Sequence, residues 1–203
     1  MGTTKRVLPV ALAFAMFGAA GGMARAQAFM PTGGLSTQPV GHYEFCQARP
    51  DECAKTAAHK PVELTRKLWA AIVDVNNVVN TMVTPRTDME MWGVEERWSY
   101  PANGYGDCED YALEKRRRLM KLGVPASNLL ITVVRQPNGD GHAVLTVNTS
   151  MGDFVLDNLE PRVLAWAETD YTYLKRQSAR HAGMWVGVDD GRNVLVGSVG
   201  RRR

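Results

Sequence analysis

Residues 106–112 read GDCEDYA, one cysteine set among three acids: Asp107, Glu109 and Asp110 flank Cys108. A cysteine nucleophile works as its thiolate, and neighbouring carboxylates oppose that ionisation by like-charge repulsion. Two readings of the acids stand side by side. Acids at a helix start complement the helix dipole, Asp107 serving as N-cap and D-x-x-D as an approximate capping box. Alternatively, hard carboxylate oxygens beside a reactive sulfur hold a cation that offsets their charge.

The stretch downstream of Cys108 supports a helix over 107–122. Tyr111, Ala112, Leu119 and Leu122 can share a core-facing side, and Gly123 with Pro125 stops the segment. The run Lys115-Arg116-Arg117-Arg118 reads as a solvated face. Cys108 then sits in the first turn, where the dipole and the free N–H groups lower a thiol pKa.

Upstream, apolar residues at three- and four-residue spacing, from Leu64 to Val83, predict a helix over 61–83, opened by Pro61 and closed by Pro85. The loop between, MWGVEERWSYPANGYG (91–106), carries Trp92, Trp98 and Tyr100, which wall a cleft or pack the loop onto the core. After residue 125 the pattern changes to strands. LLITVVR (129–135) and HAVLTVN (142–148) flank a QPNGDG turn, and FVLDN (154–158) follows. MWVGV (184–188) and NVLVG (193–197) flank DDGR and read as a second hairpin. Helices first and antiparallel strands after them make an α+β protein.

A cysteine nucleophile needs a base and a group to orient it. Of the four histidines, His42 and His59 lie in the N-terminal third of the chain and His181 in a polar stretch. His142 opens a strand directly after Gly141, and Asp157 ends the next antiparallel strand, so the two are neighbours by spacing. Cys108, His142 and Asp157 thus form a candidate nucleophile, base and orienter. The Cys108 backbone N–H is one oxyanion donor, with Trp98 and Asn103 as candidates for the second. Each residue also has a plainer structural reading, and residue types by themselves leave catalysis and structure both open.

Taken together, WGVEERWSYPANGYGDCEDYALEKRRRLMKLGVP and GHAVLTVNTSMGDFVLDN resemble the bacterial transglutaminase-like cysteine proteinase family, with the GDCEDYA, GHAVL and VLDNL blocks in the family's order. The resemblance runs from about Phe45 to Gln177. It implies a papain/transglutaminase-like fold, N-terminal helices on an antiparallel sheet, with Cys108, His142 and Asp157 as the catalytic triad. It also implies a calcium ion held by Asp107, Glu109 and Asp110. The activity implied is that of a periplasmic endopeptidase that trims the N-terminal region of a large surface adhesin and so controls biofilm attachment. An inner-membrane cyclic di-GMP receptor is the implied sequestering partner. Two alternatives share these residues: a transglutaminase-type acyl transferase, and a catalytically idle binding module docking on a membrane receptor. Zinc hydrolysis is disfavoured, since neither HExxH nor paired Cys/His spacing occurs.

The N-terminus reads as an export signal over 1–26: Lys5 and Arg6, an apolar run from Val7 to Ala20, and Ala24-Arg25-Ala26 before the cut. The formal +3 comes from Lys5, Arg6 and Arg25, so the remaining chain balances its 21 acids with as many bases. A neutral mature chain gives no ground for nucleic-acid binding. Residues 27–41, rich in Gly, Pro, Ser and Thr, read as a flexible lead-in, and 42–203 as a single domain. All three cysteines lie in the exported part. Cys46 and Cys53, in FCQARPDEC, are expected to pair, leaving Cys108 as the odd thiol.

Overall fold

The computed structural model describes residues 1–2, 28–57 and 60–189. Residues 3–27, His59 and the 193–197 segment lie outside them, and with them the export signal and the second hairpin's last strand. Among the described residues no helix is long and apolar enough to cross a membrane.

In chain order the elements are β1 (Thr32–Ser36), α1 (Val40–Ala48), α2 (Arg66–Met82), β2 (Thr84–Pro85), α3 (Asp88–Trp92), β3 (Tyr105–Gly106), α4 (Cys108–Lys121), β4 (Leu129–Arg135), β5 (Gly141–Thr149), β6 (Gly152–Leu156), β7 (Leu164–Ala165), β8 (Thr172–Ser178) and β9 (His181–Val188). Seven strands form one antiparallel sheet in the order β1-β9-β8-β4-β5-β6-β7, and β2 and β3 form a separate parallel pair. The protein is α+β. Its main core lies between helix and sheet: Ile72, Val75 and Val79 of α2 and Tyr111, Ala112 and Leu119 of α4 pack with Ile131, Leu145 and Leu156 of the sheet. A second cluster, including Met30, Val144, Trp166 and Tyr173, is separate from it. Strands β4 and β5 are buried almost throughout, as central strands covered on both faces are.

Several expectations change. Helix α2 starts at Arg66, capped by the Thr65 hydroxyl on the Leu68 N–H, rather than at Pro61. The reason is that Val62 is committed elsewhere, bonding through its N–H to Asn148 and through its carbonyl to Ser150. Residues 32–36, taken as lead-in, form an edge strand on β9. Strand β9 has β1 on one side and β8 on the other, so the hairpin expected for 184–188 is made with residues 172–178. Nor is the basic run on α4 uniformly solvated. Lys115 and Arg116 are buried, while Arg117 and Arg118 form ion pairs with Glu114 at 2.7 Å.

Candidate active site

Cys108 is the first residue of α4, and its free thiol is partly buried. Sequence dictates this start. The tight Ala102–Tyr105 turn leads into β3, which pairs with β2, and the helix begins two residues after β3 ends. The Cys108 Sγ donates to Glu109 Oε2 at 2.9 Å. Burial, and after it the Glu109 carboxylate, push the thiol well above its ordinary pKa; the backbone N–H of Ala143 works in the opposite direction. The charge environment read from the sequence is therefore present in the fold, and it favours the thiol.

His142 is the second residue of β5, opposite Val134 on β4. Leu145 pairs with Leu156, so Asp157, one residue on, comes opposite Val144, which shares its sheet face with His142. His142 Nε2 lies 2.8 Å from Asp157 Oδ1, both side chains buried. A carboxylate accepts, so Nε2 carries the proton and Nδ1 is the basic nitrogen. Asp157 Oδ1 also accepts from the Leu159 N–H at 3.0 Å, and Oδ2 from the Tyr171 hydroxyl at 2.5 Å. Burial raises the Asp157 pKa, but the hydrogen bond and charge of His142, with the Leu159 and Tyr171 bonds, outweigh it and leave the carboxyl below its usual range. Asn80 of α2 donates to the Asp157 carbonyl at 2.7 Å.

Cys108, Glu109, Gly141, His142 and Ala143 line one cleft of about 430 Å³, walled by Trp98 and Glu96. A larger cleft of about 750 Å³ lies beside α4, between Val79, Met82, Tyr100 and Met120, and contains none of the triad. Size does not single out the candidate site; the convergence of a thiol and an imidazole on one cleft does. Of the two guessed oxyanion donors, Trp98 lines the reactive cleft, but its indole N–H is bonded to Glu96 Oε1 at 3.0 Å. Asn103 is in the Ala102–Tyr105 turn with φ 54° and does not line the cleft.

The acids divide differently from the sequence reading. Carboxylate oxygens of Asp88, Asp107 and Glu109 converge within 4.8 Å of one another. Asp110 is not among them: it accepts from the Ser99 N–H at 2.8 Å and the Ser99 hydroxyl at 3.4 Å, fastening the Trp98 loop to α4. Gly106 makes room for this, because a Cβ there would lie 2.8 Å from the Asp110 Cβ. Asp107 occupies the N-cap position but makes no side-chain cap bond. Its Oδ1, like that of Asp88, is buried without a partner. Burial and mutual repulsion raise Asp107, and burial raises Asp88 and Glu109. Two orphaned buried acceptors among hard oxygen donors fit a divalent cation. Asp88 has no sequence signal: it stands far from the cysteine and reads as the first residue of a helix capped by Thr87.

Cys46 and Cys53 are joined by a disulfide, and His42 lies beside it, with Cys46 Sγ 3.7 Å from Nδ1. The buried His42 ring accepts from the Trp185 indole at 3.1 Å. Burial, and after it Arg116, lower its pKa to about 4.

Two solved structures of Legionella pneumophila LapG are similar to this chain. The calcium-bound form is 27% identical with a TM-score of 0.51, covering 59% of this chain and 68% of LapG. The EGTA-treated form is 27% identical with a TM-score of 0.50, covering 62% and 74%. No protein of curated function matches the chain. The model of the bacterial transglutaminase-like cysteine proteinases (BTLCP) matches residues 32–193, which contain the cleft, the triad and the acid cluster, and the chain belongs to that family.

Proposed function

We propose that this protein is a calcium-dependent cysteine endopeptidase, exported to the periplasm by residues 1–26, that cuts the N-terminal region of a large surface adhesin and is held in check by an inner-membrane cyclic di-GMP receptor. The observation that carries the catalytic part is the buried His142–Asp157 pair beside the Cys108 cleft.

The chemistry follows from the donors and acceptors in place. His142 Nδ1 takes the thiol proton, and the sulfur attacks the carbonyl carbon of the scissile peptide. The Cys108 backbone N–H is a donor for the oxyanion. His142 returns its proton to the leaving amine, giving a thioester. Water, deprotonated by the same nitrogen, then releases the acid and restores the thiol. Asp157 holds the tautomer and stabilises the imidazolium. Asp88, Asp107 and Glu109 would hold the calcium, whose charge offsets the carboxylates beside the sulfur.

The test is incubation of the mature protein with the purified N-terminal region of an exported adhesin, with calcium or with a chelator, read by mass spectrometry. Site-specific cleavage lost on chelation and in Cys108→Ala supports the proposal. Incorporation of an added amine at glutamine without cleavage would instead make it an acyl transferase. Equal biological activity of Cys108→Ala would make it a binding module.

A further inference from the structure

We propose that Tyr171 is a positioning residue that extends the Cys108–His142–Asp157 line by a fourth member. The inference rests on the cysteine-peptidase reading for its kinetic consequence, but not for its geometry. Tyr171 touches both members of the buried His142–Asp157 pair. Its hydroxyl donates to Asp157 Oδ2 at 2.5 Å, and its ring lies 5.7 Å from the His142 ring, tilted by 59°.

The two carboxylate oxygens of Asp157 have distinct work. Oδ1 receives His142 Nε2 and the Leu159 N–H, and Oδ2 receives Tyr171. A carboxylate torsion is soft, with two roughly equivalent wells. Bonds to a single oxygen leave the group free to swing about it, whereas a donor on each oxygen fixes the plane. With that plane fixed, the imidazole is held by its own hydrogen bond to Asp157 and by the neighbouring Tyr171 ring. The backbone is anchored separately: Asn80 and Asn76, one helical turn apart on α2, hold the carbonyls of Asp157 and Pro161. Tyr171 thus controls the side chain, and the asparagines the loop beneath it. The residue is placed by its sheet neighbour, for Thr172 begins β8 opposite Arg135, the residue that also pairs with Gly141 just before His142.

The variant to test is Tyr171→Phe, which keeps the ring and removes the hydroxyl. The first readout is the His142 Nε2–H resonance in histidine-labelled protein, which needs no substrate. The second is the rate of Cys108 alkylation by iodoacetamide with calcium present, in the wild-type and Asp157→Ala backgrounds. The expected result is a displaced or broadened His142 signal. Alkylation should slow about tenfold in the first background, as expected for losing one hydrogen bond to an ionised group, and not change in the second. An unmoved His142 resonance, or the same slowing in both backgrounds, overturns the proposal and leaves Tyr171 a packing residue. If wild-type Cys108 alkylates no faster than an ordinary thiol, the peptidase reading fails, while the resonance still decides whether Tyr171 orients the pair.

Discussion

Asp88 on α3 and Asp107 before α4 each carry a buried Oδ1 with no partner, and with Glu109 their carboxylates close to within 4.8 Å. Like charges so placed destabilise one another unless a cation or protons intervene. Calcium should therefore raise the Tm, by roughly 5–10 °C at a hundredfold excess over Kd, and Asp88→Asn should remove most of that increment. Thermal melts with calcium and with chelator check both. An unaltered calcium response in Asp88→Asn would return the site to Asp107, Glu109 and Asp110.

The same cluster sets a pH dependence in the chelated protein. Burial, with the neighbouring carboxylates after it, pushes Asp107 up to about 9; Asp88 and Glu109 are raised as well, and Asp110 beside the cluster is pushed up to about 7 by burial. Raised carboxylates bind protons more tightly folded than unfolded. Their stabilising contribution is complete below about pH 4 and is lost as pH rises through about 7 for Asp110 and about 9 for Asp107. The metal-free Tm should accordingly fall from pH 5 to 8, and calcium should flatten that fall.

His42 acts in the opposite sense. Its folded pKa is about 4, against 6.5 for the free side chain, so the unfolded chain takes up the proton first. Stability from this site is complete above 6.5 and is lost as pH falls toward 4. His42→Gln, which replaces the ring nitrogen accepting from Trp185 with a non-titrating amide, should reduce the acid-side loss, read as Tm against pH.

Removing the triad groups should abolish turnover in Cys108→Ala and His142→Ala. Asp157→Ala should do likewise, and Asp157→Asn should be the least complete loss, still at least about 10²-fold, because the amide can present its NH₂ to Nε2 and hold the wrong tautomer. Product formation by mass spectrometry measures this; near-normal rates in any alanine variant would break the assignment.

Gly106→Ala tests the fastening of the Trp98 loop. The new Cβ would lie 2.8 Å from the Asp110 Cβ and 2.9 Å from its Oδ2. The overpacking should cost about 1–3 kcal/mol and loosen the Ser99 bonds, seen as a lower Tm and faster amide exchange at Ser99.

Much of the site is legible in one dimension because its parts sit in regular elements. Cys108 opens a helix whose apolar spacing, Gly123 and Pro125 bound it. His142 and Asp157 lie at the far ends of two antiparallel strands joined by a short turn, where the register sets Asp157 opposite Val144, on the same sheet face as His142. Asp88 and Tyr171 are not legible in this way. One reaches the Asp107–Glu109 acids from a five-residue helix, the other reaches Asp157 from the approach to a strand, β8, whose Lys-Arg-Gln stretch hides its alternation.

From the sequence alone come the α+β class, the candidate positions Cys108, His142 and Asp157, and the pairing of Cys46 with Cys53, since each rests on local periodicity, turn geometry or cysteine arithmetic, and the family blocks reinforce them. The tertiary structure decided which acids converge. Four carboxylates compete near one helix start, and the backbone approach allowed by Gly106 turns Asp110 toward Ser99 while the packing of α3 delivers Asp88 in its place. Ligand geometry is set by contacts between distant segments, and no spacing rule within a single stretch can carry it.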